Sequence, residues 1–265
     1  MEFFKNLKIL FQPNKVLSGS TFVTLCVFQA IIGLLLWSFF GGAIFPKPTE
    51  IAQAWWTLAS TTDFITQLIT SATLALEATA VTFGISLLIS YSSVLGFFQP
   101  ICLFFSKMRF LSMVGLQFIF LMTFNGGHQL KLALLVFGVS VFMITSMVNE
   151  IGTVSNNEKT HARTLGMSEW HLVWEVIILG KMDRAFEILR QNFAMGFMML
   201  SMVEVVSKSE GGIGVMLANQ SKFFALASIF AIQISVFAMG IGLDWSFGML
   251  RRLLFPYASL KTETR

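Results

Sequence analysis

The chain has 265 residues, 55% from the apolar set and 12% charged, with a net charge of +4 and a mean hydropathy of +0.74. Soluble domains carry about 25% charged residues, so this composition excludes an ordinary soluble globule and a disordered chain. The apolar residues come in long blocks without alternation, which sets a β-barrel aside. What remains is an all-α polytopic membrane protein with a single membrane domain over residues 1–265.

The stretch between Lys15 and Lys47 carries no formal charge, and its core, Thr21 to Ile44, has the length of one span. It is too long for the apolar segment of a leader peptide, so it reads as a retained helix. Phe45-Pro46-Lys47-Pro48-Thr49-Glu50 then breaks the chain. Proline suits a helix's first turn, so a short helix is expected from near Pro48. It carries Trp55 and Trp56, a pair suited to a membrane–water interface.

A second span fits about Phe64 to Tyr91, and Gly96 and Pro100 interrupt the apolar segment beyond it. A third fits Phe110 to Phe124, ending at the turn Asn125-Gly126-Gly127. It is short, so it either starts before the basic pair Lys107 and Arg109 or tilts. The remaining spans fit Leu132 to Val148, about Ile188 to Val206, and Phe223 to Trp245.

The basic residues orient these six spans. With the N-terminus inside, Lys5, Lys8, Lys15, Lys107, Arg109, Lys159, Arg163, Lys181, Arg184, Arg190, Arg251, Arg252, Lys261 and Arg265 fall on the cytoplasmic side. Only Lys47, Lys131, Lys208 and Lys222 fall outside. This bias supports six spans with both termini cytoplasmic. Adding or removing one span would destroy it.

One connection, Asn149 to about Glu187, is too long for a turn. Ser155 and Glu158 have the spacing of a capping box. A helix then runs through His161 and Arg163 to Leu165, and Gly166 stands where a helix commonly ends at positive φ. Ser168 can cap a second helix, in which Trp170, Val173, Trp174, Ile177 and Ile178 share one apolar face. Two short helices meeting at a glycine elbow suit docking of a soluble partner. The mixed charges of Glu158, Lys159, Arg163 and Glu169 fit a protein groove better than an anionic lipid surface. An amphipathic hairpin lying on the lipid is the other reading.

Ionisable residues within spans are functional candidates by default. Glu77 lies inside the second span and Glu204 near the outer end of the fifth; both are possible pathway residues. Lys208, at i+4, is a possible partner of Glu204. Asp244 is expected at headgroup level beside Arg251 and Arg252, and His128 in an outer loop. Methionines at 195, 198, 199 and 202 could form an adaptable gate. Cys26 and Cys102 give neither a disulfide framework nor metal spacing. No nucleophile–base pattern, metal set or nucleic-acid patch stands out. There is no G-x-x-x-x-G-K-[ST], so no P-loop site for ATP is expected in this chain.

The stretch His161-Ala162-Arg163-Thr164-Leu165-Gly166-Met167-Ser168-Glu169-Trp170 resembles the "A-A-R-T-L-G-A-S-x-W" segment of ABC-importer permeases, in particular the nitrate/sulfonate/taurine branch. Three further segments are similar to that branch, in order: Phe45–Glu50 to "L-P-S-P-x-E", Glu204 with Gly211-Gly212-Ile213-Gly214 to "A-E…G-L-G", and Leu253–Tyr257 to "L-L-P-W". The chain departs from the pattern at Thr160-His161, at Leu179 where the family has proline, and near Asp183.

The resemblance implies a type I ABC-importer permease fold, one of two membrane subunits, in a bacterial inner membrane. Thr160, His161, Ala162, Arg163, Thr164, Leu165, Gly166, Ser168 and Trp170 would form the coupling element. It would contact an ATP-binding subunit that carries the ATP, while an extracytoplasmic binding protein delivers a small polar or anionic solute. An ATP-independent carrier or channel, and a subunit that has lost transport, are the competing classes.

Overall fold

The structure is a computed structural model, and it describes residues 19–40, 45–124 and 126–256. The expectations placed on the two termini, on Tyr257 and on Asn125 fall outside the described residues. Among the described residues, eleven α-helices run in order: α1 Gly19–Phe40, α2 Pro48–Ala59, α3 Thr62–Ser92, α4 Gln99–Lys107, α5 Met113–Thr123, α6 Gly127–Gly152, α7 Asn156–Thr164, α8 Glu169–Leu172, α9 Met182–Val206, α10 Ile213–Lys222 and α11 Leu226–Leu254. No strand occurs among the described residues. The chain is therefore all-α. The Gly126 and Gly211 end is called outer and the Gly166 end inner, after the orientation expected from the basic residues.

Four helices are long and apolar enough to cross a membrane: α1, α3, α6 and α11. The expected span Phe110 to Phe124 is corrected. The chain there is broken, with Gln99–Phe110 and Met113–Thr123 bent by 110°. Leu111 and Ser112 are extended, and the basic Lys107 and Arg109 sit at the bend, where a straight apolar helix would have to carry them. Taken as one crossing, this pair makes a fifth span. The α9 helix has 25 residues, about 37 Å of helix, with Asp183, Arg184, Glu187 and Arg190 loading its inner end.

The core lies where α3, α6 and α9 meet. Leu74, Ala75 and Ala78 pack with Leu130, Leu134, Leu135, Phe193, Leu200 and Val203. Below it, Met143 and Met147 pack on Ala185, Ile188 and Leu189. Close approach is set by small residues. A Cβ on Gly196 would stand 2.8 Å from Val139, and one on Gly214 would stand 2.2 Å from the Ser201 carbonyl oxygen.

By contrast, α1 is apolar all round and unburied within the chain. Such a helix has no face that prefers protein over lipid. Its outer end touches α11 through Trp37 and Phe230, whose ring centroids are 6.2 Å apart. As expected, α2 starts at Pro48, and the Glu50 carboxylate accepts from the Lys47 N–H at 3.1 Å. Trp55 donates to Ser235 on α11 at 2.9 Å, while Trp56 is exposed.

Candidate functional site: an inner elbow and an outer polar cluster

The elbow forms as its sequence dictates. Ser155 caps α7, its hydroxyl accepting the Glu158 N–H at 3.2 Å. Gly166 adopts φ +81°. Around it the Gly166 N–H reaches the Arg163 carbonyl at 3.0 Å and the Met167 N–H reaches the Ala162 carbonyl at 3.2 Å. This pair of bonds is a Schellman ending, which satisfies two helix-terminal carbonyls and needs a residue at ease at positive φ. Ser168 then caps α8 by accepting from the His171 N–H at 3.3 Å.

Across the elbow, Arg163 grips Glu169 with two hydrogen bonds, 2.7 and 3.1 Å long. The guanidinium's hydrogen bonds hold the Glu169 carboxyl below the ordinary glutamate range, and the carboxylate raises Arg163 in turn. Thr160, His161, Thr164 and Leu165 are on the same elbow; Leu165 is exposed and Ala162 is buried. Ala162 anchors the elbow to the bundle by packing with Val154, Leu172 and Ile177, beside Tyr91 and Val94 of the α3 end.

The expected apolar face of the second elbow helix is corrected. Leu172 and Ile177 are the buried residues, whereas Trp170 is 70% and Trp174 57% exposed. The reason is a π-helical turn over Val173–Ile178. A π turn takes up more residues than an α turn, so Leu172 and Ile177, five apart, share a face and the α-helical register is lost. A 3₁₀ turn at Leu179–Lys181 follows before α9 begins. Leu179, where the resemblance predicts proline, stands at the junction of these two turns.

At the outer end, two glycine-containing loops meet. Gly126 and Gly127 begin α6, and Gly127 donates its N–H to Ser207 at 3.0 Å. Lys131, 2% exposed, donates to the Gly211 carbonyl at 2.8 Å. Glu204 is fully buried; it accepts from the Gly214 N–H at 2.6 Å and from the Ser71 hydroxyl. Ser71 in turn accepts the Ile213 N–H at 2.9 Å, and Gln67 accepts the Gly212 N–H. Glu204 thus clasps the Gly211–Gly214 loop to α3, a set of contacts its spacing to Lys208 did not suggest.

Glu77 sits just inside this cluster and is half-exposed. His128 Nε2 lies 2.7 Å from Glu77, and its Nδ1 lies 3.7 Å from Glu210. His128, expected in an outer loop, is instead the second residue of α6, and Glu210 carries no sequence signal that marks it. The signal available was the positive-φ glycine pair before His128, which aims its ring at α3. No group of residues among those described could hold a metal ion.

Between the two ends runs a polar row the sequence reading did not single out. Thr82, Ser86 and Ser90 recur every four residues on α3, are buried, and find no hydrogen-bond partner in the described protein. Thr82 and Thr79 border a gap of ≈ 10 Å³ walled by Ala75, Ala78, Leu135, Val139 and Gly196, about the room one water needs. Asp244, expected beside Arg251 and Arg252, is held instead by Arg190 at 2.7 and 2.9 Å, while Arg251 pairs with Glu187 at 2.6 Å. Met198 and Met202 point outward from α9, and Met199 packs near Gly138.

No family model matches the chain, and no curated protein matches it. Among solved structures, it is similar to a chain of "Crystal structure of an amino acid ABC transporter with histidines". The match has 18% sequence identity and a TM-score of 0.57, and covers 76% of this chain and 96% of that chain. The likeness is one of fold. The all-α architecture described above is shared with that chain.

Proposed function

We propose that this chain is the permease subunit of an ABC importer, of the nitrate/sulfonate/taurine type. It moves a small polar or anionic solute while a partner subunit binds and hydrolyses ATP. The elbow carries this reading. It is a rigid, capped pair of helices whose apolar residues split between an anchor (Ala162, Leu172, Ile177) and an exposed set (Leu165, Trp170, Trp174). Aromatic residues offered beside mixed charge are what a protein groove binds. The fold likeness supports the same assignment. In the full transporter two permease subunits pair in the plasma membrane, both termini are cytoplasmic, and a binding protein delivers solute at the outer cluster.

Glu77 then stands at the outer mouth with His128 as its partner, and the α3 hydroxyl row lines the path below. The test is purification of the tagged chain from its native membranes. An ATP-binding subunit should co-purify, and Trp170→Ala with Leu165→Ala should release it without loss of the folded chain. Absence of any ATPase, with uptake that persists after ATP depletion, assigns the chain to ATP-independent carriers.

A further inference from the structure

The seam between α9 and α11 carries an open groove in two adjoining parts of different chemistry. Its upper part, ≈ 330 Å³, is lined by Phe193, Phe197, Met198, Phe237, Gly240 and Ile241. Its lower part, ≈ 550 Å³, is bordered by Arg190, Trp245, Gly248, Met249 and Arg252. Ile241 and Asp244 border both parts, so the two adjoin along the helices.

Glycines shape its floor. A Cβ on Gly240 would stand 2.9 Å from the Phe197 ring, and one on Gly248 would stand 3.7 Å from Arg190 Nη1. The Arg190 guanidinium therefore lies across α11. Its Nε and Nη2 are committed to Asp244, which leaves Nη1 over Gly248. Arg252, one further turn towards the inner end, is exposed and has no acidic group within ion-pair distance among the described residues. With Asp244 neutralised by Arg190, Arg252 leaves the lower end with a positive charge that no acid among the described residues compensates.

From this geometry we infer that the groove holds an anionic phospholipid. One acyl chain lies along Phe197, Phe237 and Ile241, and the phosphate sits between Arg252 and Arg190 Nη1. Charge complementarity fixes the occupant: the apolar part takes a chain, and the cationic end lies where the positive-inside bias puts the inner headgroups. Trp245, 67% exposed, stands on the groove's rim beside Arg252, an indole next to a cation of the kind that favours headgroups. One basic residue near the surface gives about a fivefold preference for an anionic over a zwitterionic lipid.

The full chain is reconstituted in bilayers of phosphatidylcholine with a minor fraction of either phosphatidylglycerol or more phosphatidylcholine, brominated on one acyl chain. Trp245 quenching should favour brominated phosphatidylglycerol by about fivefold in effective local concentration. The excess should vanish in Trp245→Phe, which identifies the reporter, and in Arg252→Gln, and it should persist in Arg252→Lys. Arg252 makes no ion pair within the described chain, so its loss spares the fold. Equal quenching by the two lipids, or an excess that survives Trp245→Phe, overturns the inference. Protection of Trp245 from both lipids also overturns it, by showing that a second copy of the chain covers the groove.

Discussion

Arg163 and Glu169 stand on opposite arms of the inner elbow and are joined by a bidentate contact of 2.7 and 3.1 Å that spans Gly166. The pair is fully solvated, so its worth is in geometry and not in global stability. It sets the angle at which Leu165 and Trp170 are offered outward.

That contact has a pH signature. The Glu169 carboxyl is depressed by its hydrogen bonds to Arg163. A depressed carboxylate supports the elbow above the ordinary glutamate pKa, and this support is lost as pH falls through the lower, folded value. Amide exchange over residues 162–169 should therefore stay slow through the range in which free glutamate titrates and quicken only at more acid pH. In Glu169→Gln the acid-side step should be absent.

Gly166 should tolerate asparagine better than valine, and valine and tryptophan about equally badly. A Cβ there meets nothing within 4 Å, so the penalty is the positive φ, about 1–2 kcal/mol for an L-residue, and asparagine bears that conformation best. Under the proposed function Gly166→Trp uncouples ATP hydrolysis from uptake while insertion is spared, as read by paired ATPase and transport assays. Unchanged coupling in Gly166→Trp would falsify the coupling role of the elbow.

Gly214 should behave in the opposite way. Its backbone is not held at positive φ, yet a Cβ would come within 2.2 Å of the Ser201 carbonyl oxygen. Gly214→Ala must push α10 away from α9 and break the Glu204 clasp. Glu204→Ala removes the acceptor for the buried Gly214 N–H and Ser71 hydroxyl, a loss of about 3 kcal/mol. Thermal melts in detergent should show both variants well below the parent, and Glu204→Gln between them and it.

Ser86→Ala should leave stability unchanged or raise it by about 1 kcal/mol, because it deletes a buried hydroxyl with no protein partner. If the α3 hydroxyl row lines the solute path, uptake by the same variant falls although the protein melts no lower. Full uptake with raised stability removes the row from the path.

Glu77→Gln and His128→Ala should each shift stability by about 1 kcal/mol or less, since the pair is half-exposed. As outer-mouth residues they should raise the KM for uptake. A kcat and KM equal to the parent's in both variants makes the pair an ordinary surface contact.

Much of the elbow was legible because its signals are local. Ser155, Gly166 and Ser168 act on backbone groups within a few residues, so caps and glycine announce themselves in one dimension. The orientation of Trp170 and Trp174 was not legible: a single π turn moves every later residue off the 3.6 period, and no residue type marks that turn. The break between Phe110 and Met113 was half legible. Lys107 and Arg109 marked the place, but no residue type there announced the extended Leu111 and Ser112 or the 110° angle.

By itself the sequence determined the solvent this protein lives in and the position of its long charged loop. Hydropathy and charge placement are sums over side chains and need no partner to be read. Only the tertiary structure decided what Glu77, Glu204 and Asp244 touch. Their partners, His128, Ser71 with the Gly214 amide, and Arg190, lie between 10 and 133 residues away in sequence. Burial makes partners mandatory for Glu204, and for all three acids the choice among distant partners is fixed by the packing of α3, α6, α9 and α11.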